Sequence, residues 1–280
     1  MGLHYDLFVT PGIPIMTATK PPGVTETLFQ ASASTLIHGD RDAVLVDAFL
    51  TVVQASALAD WVASKGKNLT TIYITHGHGD HWFGAGTLLE RFPSAKLMAT
   101  RDTISVMQQN SSAEALQYVW GAGFPGQIPQ NLVIADELLG GTIDLEGQEL
   151  RAVEVGHTDT AYTTVLHVPT IGLVVAGDVA YNDVHLYLVE SNAQTRQEWI
   201  AALDQVERLK PRAVVASHKR PKNQDSPAII EQTRQYIRDF DRLAQSTSTA
   251  QELYDQMLAL YPNRVNPSWA LWSSAEAAKK

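Results

Sequence analysis

The sequence predicts an α/β fold in which two β-sheets pack face to face and helices cover their outer surfaces. Short apolar or β-branched segments alternate with segments of helical periodicity, and the order of strands followed by helices occurs twice in similar form along the 280 residues. Hydrophobic residues make up 45% of the chain, enough for one large core or two small ones. Each sheet and each helix must bury an apolar face. Two packed sheets covered by helices allow all of these elements to do so.

The first half of the chain contains elements whose ends are marked by specific residues. Residues 43–47 form a continuous apolar run that ends in an acid, which is typical of a strand buried on both faces. Thr51 and Gln54 have the spacing of a capping box and predict the start of a helix. We also expect strands at 5–10, 24–38, 70–75 and 96–99, helices at 83–91 and 102–118, and a loop at 119–130.

The second half repeats this order. We expect strands at 132–135, 142–145, 149–155, 162–168, 171–176 and 213–217. A capping box at Thr195 and Glu198 predicts a helix over 196–209, and similar signals predict helices from 226 to about 243 and from 249 to about 260. The terminal segment AEAAKK is expected to fray. Because no linker is evident, we expect a single domain over residues 1–280, with C-terminal helices at about 226–262.

Composition excludes several classes of function. The net charge is −9, and a cluster at Lys219, Arg220 and Lys222 is the main basic feature, so we expect no nucleic-acid partner. The absence of cysteine excludes disulfides and thiolate ligands. We see no signal peptide and no apolar run near the ~18 residues of a membrane helix. We therefore expect a cytoplasmic protein with a small-molecule substrate and no membrane partner.

The strongest chemical signal is the segment THGHGDH, which contains His76, His78, Asp80 and His81. His76 and His78 continue a strand and point to the same side of it, because side chains alternate with a period of two. They are therefore suited to bind one ion. Asp80 and His81 follow a turn and are suited to face a second ion. The glycines between them permit the backbone angles of such a turn.

Three later residues are candidates for the remaining metal ligands. His157 follows the apolar strand 149–155, Asp178 follows 171–176, and His218 follows 213–217. Polar residues at strand ends are where sites are built in layered α/β folds. Each one alone is more often a turn residue or a helix cap, but their common placement after the motif favours a shared site.

The order HxHxDH, followed by a later His, Asp and His at strand ends, resembles the metallo-β-lactamase superfamily over roughly residues 35–218. The resemblance implies a four-layer αββα sandwich with two divalent metal ions at one edge of the sheets. Zinc is the usual metal of the family, although imidazole and carboxylate ligands also suit iron, manganese or cobalt. The match implies that one ion is held by His76, His78 and His157, the other by Asp80, His81 and His218, and that Asp178 bridges both.

Asp178 narrows the subgroup. One β-lactamase branch has Cys at this position, whereas a bridging Asp resembles the lactonase, glyoxalase and phosphodiesterase branches. Tyr181 lies three residues later and resembles the tyrosine of acyl-homoserine lactonases that reaches the substrate carbonyl. The resemblance thus implies a hydrolase that cleaves a cyclic ester or related acyl bond through a metal-bridging hydroxide. Asp80, as a proton shuttle, and Tyr181, as an oxyanion donor, are the expected catalytic residues.

Other functions stay open at this point. They are a thioesterase of the glyoxalase II type, a β-lactam or cyclic amide hydrolase, and a non-catalytic binding protein on the same fold. Asp47, at the end of its own strand, is expected to form hydrogen bonds near the metal loop. The C-terminal helices are a candidate surface for a homodimer. Candidates for a lid over an apolar substrate, with packing as the alternative, are Tyr118, Trp120, Phe124, Pro125, Trp269 and Trp272.

Overall fold

A computed structural model describes residues 2–280 and contains two β-sheets. In the first sheet, β1–β6 lie side by side in chain order, antiparallel from β1 to β3 and parallel from β3 to β6. In the second, β7–β11 lie in chain order and only β10 and β11 are parallel. The strands are His4–Thr10, Ser32–His38, Asp42–Val46, Asn68–Tyr73, Lys96–Ala99, Asp136–Glu137, Thr142–Leu145, Gln148–Gly156, Thr163–Val168, Leu173–Gly177 and Ala213–Ala216.

Helices follow or connect the strands of both sheets. The helices α1–α10 are Val52–Ser64, Gly79–Trp82, Ala85–Arg91, Arg101–Asn110, Ala113–Ala115, Gly121–Gly123, Ala193–Arg208, Ala228–Ser246, Ala250–Leu260 and Ala270–Ala278. A π-helical segment, Leu116–Trp120, joins α5 to α6. Short 3₁₀ turns lie at Leu139–Gly141 and Pro169–Ile171. No helix in the described residues is both long enough and apolar enough to cross a bilayer.

Three apolar cores separate the layers. Along β3, Leu45 points into the core beneath the first set of helices, while its neighbours Val44 and Val46 point into the core between the sheets. Along β10, Val175 faces that same central core and Val174 faces the second set of helices. This alternation follows from the two-residue period of a strand and makes both sheets buried on two faces. The predicted αββα sandwich is confirmed.

Several elements differ from the sequence prediction, each for a physical reason. Residues 24–31 form only an isolated bridge to Pro14 rather than a strand, because side chains take up two of their N–H groups: Ser268 Oγ accepts from the Leu28 N–H and Asn266 Oδ1 from the Ala31 N–H. Residues 132–135 are not a strand either, whereas 119–123, the first part of the predicted loop, are helical. The C-terminal tail is helical because Leu271 and Ala275 pack in the core.

The predicted helix caps show mixed results. The capping box at Thr51 is present, and so is the one at Thr249. The box predicted at Thr195 is wrong, because Asn192 is the N-cap and Thr195 is its N3 partner. Asn accepts from the free N–H groups of the first turn as well as Thr does, so the local pattern alone does not choose between them.

The turn between β7 and β8 binds the two sheets together through Glu146. Its carboxylate accepts hydrogen bonds at 2.7–3.1 Å from the backbone N–H groups of Asp40 and Arg41, in the turn between β2 and β3, and of Asp42, the first residue of β3. These bonds stabilise the charged form and lower the pKa of Glu146 from 4.5 to about 2. The contact therefore stabilises the folded state above pH 4.5, and this contribution disappears as the pH falls towards 2.

We expect Glu146→Gln to lower the thermal midpoint at pH 7 and to change it little near pH 2, where about half of the folded wild-type carboxyls are protonated and little of the charge-dependent contribution remains. Scanning calorimetry from pH 2 to pH 7 measures this. Glu26→Gln, at an exposed glutamate, is the control and should change neither midpoint. If Glu146→Gln lowered the thermal midpoint by the same amount at pH 2 and at pH 7, the stabilising contact would not depend on the charge of Glu146.

Candidate metal centre

His76, His78 and Asp159 form the first group of ligand-capable side chains. The two histidines follow β4 in the first sheet, and Asp159 follows β8 in the second. His78 Nδ1 lies 2.8 Å from Asp159 Oδ2, and His76 Nε2 lies 3.4 Å from the same oxygen. All three residues are at most 8% exposed. One ligand atom from each lies within 4.8 Å of the other two, which is close enough for one ion.

Asp80, His81 and His218 form the second group. Asp80 and His81 lie on α2, the short helix that begins directly after His78, and His218 follows β11. Asp80 Oδ2 lies 3.3 Å from His81 Nε2 and 3.4 Å from His218 Nε2. These ligand atoms also lie within 4.8 Å of one another. The two groups therefore meet where strands of both sheets end.

Asp178 lies between the two groups. Its Oδ2 lies 3.1 Å from His218 Nε2, and its Oδ1 lies 3.5 Å from His81 Nε2. It also forms a compact set with His76 and His81, which joins the first group to the second. A carboxylate has two oxygens about 2.2 Å apart and is suited to touch two ions at once. This is the placement that a bridging ligand needs.

His157 lies outside these groups, contrary to the sequence prediction, and Asp159 occupies the expected position. The His157 Nδ1 atom lies 2.9 Å from the Thr158 carbonyl oxygen. The reason is the shape of the chain at the end of β8: the strand has an irregularity before Gly156, which adopts a φ of 94°. The turn directs Asp159, three positions beyond this glycine, towards the other ligand-capable side chains. Together they form one cluster, which consists of His76, His78, Asp80, His81, Asp159, Asp178 and His218. The sequence GHTDT did contain the alternative ligand two residues after the histidine.

Hydrogen bonds to the outer ring nitrogens orient the histidines. Asp47 Oδ2 lies 2.9 Å from His81 Nδ1, and its carboxylate also accepts from Thr75 and Ser217. The hydrogen-bonding role expected for Asp47 is therefore observed. Similarly, the Ala31 carbonyl oxygen lies 3.1 Å from His218 Nδ1. Each contact occupies the outer ring nitrogen, so the inner nitrogen is left for a ligand bond.

Glu190 plays the same part for His78 and was missed by sequence reasoning. Its Oε1 lies 3.0 Å from His78 Nε2, and its Oε2 accepts from the Thr160 hydroxyl at 2.9 Å. Glu190 lies 112 residues from His78 in the chain, on a segment without regular secondary structure. No local sequence signal connects the two residues.

The glycines of the motif provide space rather than unusual backbone angles. Neither Gly77 nor Gly79 has a positive φ. A Cβ atom on Gly77 would lie 2.5 Å from the Val106 side chain and 2.7 Å from the Met107 backbone nitrogen, both of helix α4. A side chain at residue 77 would therefore push the histidine loop away from α4.

The cluster has the electrostatics of a cation site. Burial lowers the pKa of His81, but Asp80, Asp47 and Asp178 outweigh it and raise this pKa well above its usual value. Burial lowers the pKa of His218 likewise, and the two carboxylates beside it raise it to about 10. Four buried inward atoms make no hydrogen bond to the described residues: His76 Nε2, His81 Nε2, Asp159 Oδ2 and Asp178 Oδ1. Such atoms are costly to bury unpaired, and divalent ions fit them.

Tyr181 does not take the position that the sequence prediction gave it. It is fully buried behind the cluster, and its hydroxyl donates a 2.7 Å hydrogen bond to Asp178 Oδ2. It therefore positions Asp178 and does not line the cavity in front of it. Tyr187 does line that cavity, beside His78 at a ring distance of 5.9 Å. Burial and the nearby carboxylates raise the pKa of Tyr187 far above its usual value, so its hydroxyl stays a donor.

A cavity of about 400 Å³ opens onto the cluster. Its floor is formed by His78, Asp80, Asp178 and His218. Among the residues proposed for a lid, Tyr118, Trp120, Phe124 and Trp269 line the cavity, whereas Pro125 and Trp272 do not. A substrate in this cavity therefore has direct access to both groups of ligand-capable side chains.

A family model described as the metallo-β-lactamase superfamily matches residues 28–218. The chain belongs to the metallo-β-lactamase superfamily. Members of this superfamily are mostly metal-dependent hydrolases, and the buried His and Asp cluster agrees with that general activity. The match covers every residue of the cluster, from His76 to His218.

Solved structures with the same fold include two from bacteria. A metallo-β-lactamase family protein from Thermus thermophilus is 20% identical, with a TM-score of 0.62 over 97% of this chain and 91% of its own. A metallo-β-lactamase from Pontibacter korlensis is 16% identical, with a TM-score of 0.60 over 83% of this chain and 99% of its own. At these identities the likeness concerns the fold.

Among curated proteins, the chain matches the uncharacterized protein YobT of Bacillus subtilis (strain 168). The two are 30% identical over 115 residues, which are 38% of this chain and 47% of that protein. The match thus spans about half of the relative's length.

We expect Asp159→Ala to weaken zinc binding at one site by at least about 100-fold, because it removes an inward oxygen from the first group. His157→Ala should leave zinc affinity within about twofold. Isothermal titration of the metal-stripped variants, with circular dichroism as the folding control, measures both. If His157→Ala weakened zinc binding and Asp159→Ala did not, His157 would be the ligand and Asp159 would not.

Proposed function

We propose that the protein is a dinuclear metal-dependent hydrolase that cleaves a cyclic ester or a related acyl bond. The observation that carries this proposal is the position of Asp178, between two compact ligand groups on the floor of an open cavity. A storage or purely structural metal site needs neither a bridging carboxylate nor access for a substrate-sized molecule. A reaction at the site needs both.

The side chains divide into two ligand sets in this proposal. His76, His78 and Asp159 would hold one ion, Asp80, His81 and His218 would hold the other, and Asp178 would contact both. Zinc is the first choice because nitrogen and carboxylate ligands suit it, and iron, manganese and cobalt are the alternatives. Two such ions supply Lewis acidity and a water whose pKa is lowered from ~15.7 to about 7.

The protein's own groups then position the substrate and transfer the proton. Asp80 contacts His81 and His218 through Oδ2, so Oδ1 is the oxygen left to accept a proton and pass it to the leaving group. Tyr187 stands at the cavity wall as a protonated phenol and donates to the oxygen that becomes negative during acyl transfer. Tyr181 holds Asp178 in place from behind.

A cyclic ester fits the cavity better than the glutathione thioester of a glyoxalase II type enzyme. Glutathione carries two carboxylates, and binding them calls for Arg or Lys side chains. Within residues 2–280, no Arg or Lys is among the residues that line the cavity. The same point disfavours β-lactams, which carry a carboxylate on the fused ring.

A substrate panel with added zinc tests the reaction class. We expect turnover of a neutral lactone at a kcat/KM at least about tenfold above that of a glutathione thioester or a β-lactam. Asp178→Asn should reduce the activity by about 100-fold or more, because it removes the charge shared by both ligand sets. Asp60→Asn, at an exposed position on α1, is the matched control. Full activity of Asp178→Asn, or a preference for the thioester, would contradict the proposal.

The two tyrosines give separable effects. Tyr187→Phe should lower kcat by about 10²–10³ with unchanged zinc content, because it removes one donor to the developing oxyanion. Tyr181→Phe should instead weaken zinc binding by about 10–100-fold, since it removes a contact that orients Asp178. Steady-state kinetics and metal analysis of both variants distinguish these roles. Loss of kcat in Tyr181→Phe with intact metal, and none in Tyr187→Phe, would assign the donor role to Tyr181.

A further inference from the structure

The cavity above the cluster has an aromatic wall formed by Phe29, Trp120, Phe124, Tyr187 and Trp269. Trp269 stacks on Tyr187 at 5.1 Å with 11° between the planes, and it also packs against Phe29 at 4.6 Å between ring centroids. Phe29 in turn meets the edge of Phe124 at 5.3 Å. These mutual contacts hold the rings in place, so the wall is formed before a substrate arrives.

Trp120 completes the wall on the side of the π-helical segment. Its ring packs against Phe83, and its Nε1–H donates to Asn110 Oδ1 at 3.1 Å, so its polar group needs nothing from a ligand. Beyond the wall, the rim carries the exposed apolar side chains Met16, Tyr118 and Val119. A group that extends from the cluster to the rim thus meets mainly apolar surface.

The charges around the cavity offer nothing to an anionic group. The basic residues nearest in sequence to His218 are engaged elsewhere: Lys219 is buried against Asp225, and Arg220 pairs with Asp183. Lys20, on the segment next to Thr19 of the rim, donates to the Thr25 carbonyl oxygen and is not a lining residue.

Together with the two carboxylates that contact its histidines, the cluster would carry no net positive charge after metal binding. Asp159 replaces the neutral imidazole expected at residue 157, which adds one negative charge to the ligand set. Two dications bring four positive charges. Five carboxylates lie in the cluster or in direct contact with its histidines, namely Asp47, Asp80, Asp159, Asp178 and Glu190.

We propose that the substrate of this cavity is an uncharged molecule whose non-reacting part is apolar and packs against the aromatic wall. This inference rests on the proposed function only for the position of the reacting carbonyl at the cluster. A carboxylate placed against the wall would lose its water without gaining a partner, whereas a phenyl-sized group would gain dispersion contacts and bury apolar area.

Three non-hydrolysable γ-lactams test this by isothermal titration against the zinc-supplemented protein. They are the unsubstituted ring, the ring with a benzyl group, and the ring with a para-carboxybenzyl group. We expect the benzyl group to tighten binding by about tenfold or more, and the added carboxylate to weaken it again by at least about tenfold. Equal or tighter binding of the carboxylate, or no gain from the benzyl group, would overturn the proposal.

A charge substitution locates the effect. Val119→Lys places a cation on the rim. It should reduce the ratio of the dissociation constants of the carboxybenzyl and benzyl lactams by up to about fivefold. Val53→Lys, at an exposed valine of α1 that does not line the cavity, should leave this ratio unchanged. If both variants reduce it equally, the preference comes from overall charge and the aromatic wall is not its source.

The binding experiment stands apart from catalysis. If the expected ranking of lactams holds but no lactone is hydrolysed, the cavity preference is supported and the reaction class is wrong. If lactones are hydrolysed but the ranking fails, the reaction class holds and this inference is refuted.

Discussion

The constraint on which the structure depends is the burial of carboxylates and imidazoles whose inward atoms face one another, four of them without a hydrogen bond. A buried charge is tolerated only when it is paired, and a buried polar atom only when it is bonded. Here the outer atoms are satisfied by Asp47, Glu190 and backbone carbonyls, while four inward atoms make no hydrogen bond to residues 2–280. Divalent cations would satisfy these inward atoms while the orienting groups keep the outer ring nitrogens bonded.

The sandwich meets this constraint by bringing strand ends from both sheets to one edge. The two sheets are joined just there: the Tyr73 hydroxyl lies 2.7 Å from Thr164 Oγ1, and the Thr164 N–H donates to the Thr75 carbonyl oxygen at 3.0 Å. These bonds fix the histidine loop of the first sheet relative to the ligands of the second. Ligands placed at or directly after strand ends are supported by the hydrogen-bonded sheets behind them.

Features encoded by local pattern were predictable from the sequence. The layered fold follows from apolar periodicity, the motif THGHGDH contains four of the seven clustered side chains, and the cap at Thr51 has its own signature. Features that depend on how turns and distant segments are arranged in space could not be predicted from the sequence. The choice between His157 and Asp159 depends on a turn at Gly156, and the choice between Tyr181 and Tyr187 depends on which one the cavity exposes. Spacing alone carries neither kind of information.

Anomalous X-ray scattering at the zinc edge, on crystals grown with zinc, tests the central claim most directly. The account predicts two peaks about 3.5–4 Å apart, one bounded by His76, His78 and Asp159 and the other by Asp80, His81 and His218, with Asp178 contacting both. A single peak, or a peak coordinated by His157 with Asp159 turned away, would contradict it.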